Sequence, residues 1–227
     1  MQSKAIKTDF PWSPSSDTIA YWALNWNTID WSWNWHNWTI SWNVWYTAQW
    51  SRNVAIINWT PSWIATWWSF MDQIGTWDFT ISAWMNISWS VNMDDSVMFA
   101  FWKEEDPRPW FSLRLQKNNY IEFWVWEWNS SWLTVSNPSQ YYWWWHNFIL
   151  TRKNWVVYCY IDKILKWSFN YSSAITWIDN WWILSRKNDR QYMKLWTKWA
   201  EYIVEKVWWD LAKITKYFNK SKQQFWL

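Results

Sequence analysis

The stretch Asp30-Trp31-Ser32-Trp33-Asn34-Trp35-His36-Asn37-Trp38-Thr39 decides how the rest of the chain is read. Four tryptophans alternate with Ser, Asn, His and Asn, the small polar residues that normally build turns. Turn positions often require positive φ, which glycine adopts without steric cost and an indole-bearing residue does not. With glycine in place of each tryptophan the stretch becomes D-G-S-G-N-G-H-N-G-T, an ordinary tight loop.

Composition extends this reading to the whole chain. The 227 residues contain 36 Trp and a single Gly, Gly75, where average usage puts glycine near 7%. Six Asn-Trp dipeptides occur, at Asn25, Asn34, Asn37, Asn58, Asn154 and Asn180. Asn-Gly is the strongest short hairpin signal, whereas Asn-Trp carries none. The doublets Trp67-Trp68, Trp181-Trp182 and Trp208-Trp209 likewise read as Gly-Gly in loops. A UGA codon that the organism reads as glycine, translated here as tryptophan, accounts for both the surplus and the deficit. Magnitudes favour the same reading: about ten side-chain-bearing residues forced left-handed cost roughly 10–20 kcal/mol, against a total stability of about 5–15 kcal/mol. The alternative is a chain truly rich in tryptophan that stacks ligands or lipids.

The length suits one sizeable β domain. The net charge is +3 with scattered basic residues, which is not the clustered stripe of a nucleic-acid binder. One cysteine, Cys159, leaves no internal disulfide, and no apolar run is long enough for a transmembrane helix. Residues 1–17, with Pro11 and Pro14, read as a flexible leader without a secretory-signal pattern. The chain is therefore expected to stay inside the cell or to be a fragment with its export signal upstream.

From Thr18 short strands alternate with turn clusters, the spacing of an all-β sandwich. The predicted strands are Ile19–Leu24, Asn53–Ile57, Phe79–Ile87, Val97–Phe101, Phe111–Gln116, Tyr120–Val125, Asn147–Thr151, Val156–Ile161 and Trp182–Ser185. Phe79, Ile81, Ala83, Met85 and Ile87 share one face, with Thr80, Ser82 and Asn86 opposite. Trp84 interrupts that polar face and is read as a genuine tryptophan. The clearest hairpin joins residues 148–152 to 156–161 through Lys153-Asn154-Trp155, read as K-N-G, and places Cys159 in the core. Val204, Val207, Leu211, Ile214 and Phe218 recur at helical steps and predict one amphipathic helix near the end.

With the substitution made, the chain resembles the laminin-G-like, concanavalin A-type jelly-roll domains. Residues 21–30 and the opening loop are similar to that family's aromatic strand followed by D-x-S-G-N-G-x-x-G. Asn53-Val54-Ala55-Ile56-Ile57-Asn58-Trp59 resembles its A-L-x-F-D-G strand, and Phe79-Thr80-Ile81-Ser82-Ala83-Trp84 its F-T-I-S-x-W strand. Trp144-Trp145-His146 looks like G-W-H with Trp145 genuine, and Tyr160-Ile161-Asp162 like Y-V-D-G with Lys163 replacing the glycine. These motifs cover about two thirds of the chain in the family's order. The end departs from the pattern: Ile203-Val204-Glu205-Lys206-Val207 keeps only Glu205 of the closing I-D-E-V-R-I strand, which puts that strand in doubt.

The resemblance implies an all-β, two-sheet antiparallel jelly-roll sandwich over 18–200. A closing segment and C-terminal helix or tail would follow over 201–227. It also implies a structural calcium held by Asp30 with Glu205 as second ligand; carboxylate and carbonyl oxygens suit that ion. The plainer reading of Asp30 is an Asx-turn cap. Asp162 is read as a turn residue, and Asp94-Asp95 and Glu104-Glu105-Asp106 as solvated loop charges. His36 and His146 have no companion at zinc-ligand spacing and are given structural roles. Hydrolysis of a glycan needs two carboxylates flanking the bond; Glu122 and Glu127 are oddly spaced and point to opposite strand faces. No catalytic residue is assigned. The expected function is a non-catalytic adhesion or recognition module for a glycan or surface protein, displayed outside the cell, with no nucleic acid and no membrane insertion. A divergent glycan hydrolase or lyase and a structural subunit of a surface filament are the alternatives.

Overall fold

A computed structural model of the chain describes residues 12–25, 29–32, 34, 39–40, 44–49, 52–57, 64–66, 74–87, 96–102, 110–115, 121–126, 131–135, 138–172, 174, 180–183 and 197–226. Fifteen strands and one helix form in the order β1 (Thr18–Trp22), β2 (Thr39–Ile40), β3 (Val44–Gln49), β4 (Arg52–Ile57), β5 (Ile64–Thr66), β6 (Phe79–Asn86), β7 (Ser96–Trp102), β8 (Trp110–Leu115), β9 (Ile121–Trp126), β10 (Ser131–Val135), β11 (Trp145–Lys153), β12 (Val156–Ile161), β13 (Ile164–Asn170), β14 (Asn180–Ile183), β15 (Lys198–Glu205) and α1 (Leu211–Trp226).

The strands build two antiparallel sheets. One runs β13-β12-β11-β6-β15-β4-β3, with β1 also paired to β15; the other runs β10-β9-β8-β7-β14-β5-β2. The period-two pattern of residues 79–87 decides which face closes the sandwich. Phe79, Ile81, Ala83, Met85 and Ile87 meet Phe148, Leu150, Val157, Cys159 and Ile161 from the same sheet and Leu113, Ile121, Phe123 and Val135 from the other. Cys159 is fully buried there, as its face predicts.

The opposite face of β6 is not solvated. Thr80, Ser82 and Trp84 are all fully buried because α1 lies across them. Trp84, Trp145, Ile149 and Ile203 pack against Trp209, Ile214, Tyr217, Phe218 and Phe225 in a second apolar cluster. The Phe225 ring sits 4.8 Å from Trp84 and 4.6 Å from Trp145. The two residues read from sequence as genuine tryptophans thus converge on one helix side chain. Several polar groups caught under the helix find partners: Thr80 and Thr151 hydroxyls lie 2.7 Å apart, and Asn147 Nδ2 donates to Ser82 Oγ.

Two expectations at the C-terminus are corrected. The closing strand doubted from sequence forms as β15, pairing with β6, β4 and β1. The helix starts later than its periodicity suggested: Val204 lies within β15 and Val207 in the bend after it. Asp210 sets the start, its carboxylate accepting from the Lys213 amide at 2.7 Å, the N-cap arrangement that satisfies an orphan donor of the first turn. Leu211 faces solvent at 56% exposure, so the docking stripe is Ile214, Tyr217, Phe218 and Phe225. Of the tryptophan doublets, Trp181-Trp182 lies within β14 rather than in a loop, Trp208-Trp209 leads into α1, and Trp67-Trp68 falls outside the described residues.

Two hairpin turns require left-handed backbone. Asn154 and Trp155 have φ of 48° and 67°, between Lys153 and Val156 in direct register. Positive φ at both central residues is the two-residue turn for which Asn-Gly is the preferred pair. Asp162 and Lys163 repeat the geometry at 50° and 64°. Trp143 is also left-handed at 72°, with its indole 60% exposed.

Candidate functional site

A cleft of about 410 Å³ opens at one end of the sandwich, lined by Thr76, Trp77, Asp78, Asn154, Trp155, Lys206, Val207 and Trp208. Its walls come from three distant parts of the chain: the turn entering β6, the β11–β12 hairpin turn, and the bend leaving β15. The volume falls within the range of small-ligand sites.

Arg152, at the end of β11, holds the first wall. Its buried guanidinium donates through Nε to the Trp77 carbonyl at 3.1 Å and through Nη2 to the Gly75 carbonyl at 3.0 Å. It also lies 4.9 Å from the Phe79 ring centre and 5.5 Å from that of Trp155. Burial pulls this guanidinium below its ordinary range, an effect opposed by nearby Tyr171 and Asp78. Asp78 ties the first wall to the second by accepting from the Asn154 amide at 2.9 Å. The third wall is anchored by the Lys206 amide, which donates to the Asp17 carbonyl.

The cleft presents flat apolar faces beside polar groups. Trp77 is 64% exposed and Trp155 43%; the Lys206 ammonium sits 5.0 Å from the Trp77 ring centre, and that of Lys153 3.7 Å from the Trp208 ring centre. The Trp208 indole N–H is buried with no acceptor. Aromatic faces supply contact area while hydroxyl, amide and carboxylate groups fix orientation, which suits a polyhydroxylated ligand. Asp78 is the one carboxylate among the described lining residues.

Asp30 and Glu205 are not brought together. Asp30 Oδ1 accepts from the Tyr21 and Ser32 amides at 3.0 and 2.8 Å, and Oδ2 from the Ser32 hydroxyl at 2.8 Å, which is the turn-capping arrangement. Glu205, fully buried, accepts from Thr18 Oγ1 at 3.2 Å, from the Trp209 indole N–H and from the Lys213 ammonium at 2.7 Å. Both carboxylates face hydrogen-bond donors, one of them a cation, where calcium needs a shell of oxygens. Among the described residues, no group of three or more His, Cys, Asp or Glu could hold a metal.

His146, at the start of β11, pairs through Nδ1 with Asp162 Oδ2 at 2.5 Å, while Asp162 Oδ1 accepts from the Asn147 amide. The pair fastens the Asp162-Lys163 turn to β11. Glu122 is buried on β9; Glu127, His36, Asp94, Asp95 and Glu104 to Asp106 lie outside the described residues. Sequence reading saw the Asn154-Trp155 turn but not its partners: the turn cluster Gly75-Thr76-Trp77-Asp78 was the available signal for the first wall, and nothing local marked Lys206.

No family model matches the chain, and no curated protein does. Solved structures match its fold. Domain 4 of AbnA, a GH43 extracellular arabinanase from Geobacillus stearothermophilus, in complex with arabinotriose, superposes with a TM-score of 0.68 at 17% identity, covering 88% of this chain and 98% of that one. The binding domain of Paraclostridial Mosquitocidal Protein 1 gives 0.72 at 12% identity over 89% of this chain. The botulinum neurotoxin type G receptor binding domain gives 0.67 at 14% over 90%. The chain spans about half the length of these last two, 52% and 51%. At such identities the likeness establishes the fold, a two-sheet jelly-roll-like sandwich.

Proposed function

We propose that this chain is a non-catalytic recognition module that binds a carbohydrate in the cleft between the β6 entry turn, the β11–β12 hairpin and the bend after β15. The observation that carries the reading is the cleft itself: Thr76, Asp78, Asn154 and Lys206 supply hydrogen-bonding groups beside exposed planar faces. The fold supports it, since one structural neighbour was solved with arabinotriose and others are receptor binding domains. Screening the chain on a glycan array tests it, with Asp78→Ala and Asn154→Ala expected to abolish binding while leaving the fold intact. Retention of every glycan signal in both variants would refute the assignment of this cleft. A surface protein as partner is the second reading, supported by the receptor binding domains among the neighbours. On this reading the module works outside the cell, which the extracellular arabinanase among the neighbours supports.

The same reading takes most tryptophan letters at turns as glycine in the natural product. Support comes from the left-handed φ at Trp143 and Trp155 and from the exposure of Trp31, Trp77, Trp143, Trp144 and Trp155. Trp84 and Trp145, packed on Phe225, are positions where an indole fills space, and Trp22, Trp199 and Trp209 are buried in the same way. The four polar lining residues stand under either reading. With glycine at 77, 155 and 208 the cleft loses its indole faces and gains room and close backbone approach.

A further inference from the structure

We infer that the cleft is selective for an acidic saccharide, one carrying a carboxylate or sulfate, which rests on the carbohydrate-binding reading above. Three cations gather about the cleft. Lys206 lines it, Lys153 reaches the Trp208 ring on its wall, and Arg152 lies buried beneath the turn that forms the first wall. Against these three cations stands Asp78, whose Oδ1 is turned to the Asn154 amide. A low-dielectric wall over a buried cation focuses positive potential into a concave site. Among the described residues the Trp208 indole N–H is buried without a partner, and the Lys153 and Lys206 ammonium groups are seated on ring faces.

A neutral sugar offers hydroxyls that both donate and accept. A uronate or sulfate group offers only acceptors, which matches a wall of surplus N–H donors. Under the glycine reading of positions 77 and 208 the indole N–H is gone and the inference rests on the cations: the two lysines lose their aromatic seats, while the Arg152 guanidinium still meets the backbone carbonyls of positions 75 and 77.

The test is titration of the natural chain with three probes: oligogalacturonate, a heparin-derived oligosaccharide, and neutral arabinan oligosaccharides. The expected result is binding of one or both acidic probes at least about tenfold tighter than the neutral one, weakening steadily with salt. Lys153→Glu and Lys206→Glu are each expected to weaken acidic binding by roughly tenfold. Lys216→Glu, exposed on α1, leaves it unchanged. Equal affinity for neutral and acidic probes, or acidic binding indifferent to Lys153→Glu and Lys206→Glu, overturns the inference. Neutral binding lost on Asp78→Ala but indifferent to both charge reversals overturns it while sparing the carbohydrate reading. Absence of binding to every saccharide overturns both.

Discussion

Removing the Phe225 ring tests whether α1 is an integral layer of the sandwich. Phe225 is 1% exposed, and its ring centre lies 4.8 and 4.6 Å from those of Trp84 and Trp145, with the Arg52 guanidinium 5.3 Å away. Truncating a buried phenylalanine to alanine costs about 3–5 kcal/mol, because lost transfer energy is joined by the cavity left behind. The site is near the helix end, where the backbone relaxes most easily, so the lower end of that range, about 3 kcal/mol, applies. At roughly 2–4 °C per kcal/mol for a chain this long, Phe225→Ala lowers the melting temperature by about 6–12 °C. Urea unfolding is the assay, with the midpoint falling and the slope unchanged. Phe225→Leu, which keeps most of the volume, costs less than about 1.5 kcal/mol. A loss below about 1 kcal/mol for Phe225→Ala would refute the docking of α1 and the burial of Trp84 beneath it.

Three further outcomes are expected. Glu201 is buried on the β15 bulge and accepts from the Tyr21 and Tyr217 hydroxyls at 3.0 and 2.9 Å. Burial raises its carboxyl above the ordinary 4.5, against lowering by Arg52, the two tyrosines and Lys220. Its contribution to stability is therefore complete below about pH 4.5 and is lost as pH rises through the raised value; Glu201→Gln flattens that decline in a pH series of urea midpoints, and superimposable profiles contradict it. Lys213→Met strands the buried Glu205 carboxylate; because Lys213 is 37% exposed, solvent screening limits the cost to about 1–2 kcal/mol, read by the same unfolding assay. Burial pushes the Cys159 thiol well above its usual range, so thiol reagents label it only on unfolding; labelling of native protein at the rate of a free thiol contradicts its core placement.

Each of the nine strands predicted from sequence overlaps a strand of the described residues, because strands such as 79–87 alternate core-facing apolar residues with Thr80 and Ser82, whose hydroxyls hydrogen-bond beneath α1. β15 escaped the same logic. In Lys198–Glu205 both faces carry apolar residues, Trp199, Tyr202 and Val204 toward the sandwich core and Ala200 and Ile203 toward α1, and a bulge at Glu201 shifts the register, so no period of two is left to read. The helix face was misjudged because Val204 and Val207 keep helical spacing by coincidence, while the Asp210 cap that ends the ambiguity is a single residue. The Asn154-Trp155 turn was legible from its Asn and from the glycine reading of its partner. The cleft was not, since Asp78, Asn154 and Lys206 converge only after the sheet is assembled.

The account depends most on the identity of the residues written as tryptophan at left-handed turns. Intact mass and peptide sequencing of the protein from its native source measure it directly. The mass is expected to fall well below the 28.6 kDa of the written chain, with glycine at 143 and 155 and indole at 84 and 145. Recovery of indole at both Trp143 and Trp155, with the full mass, contradicts it.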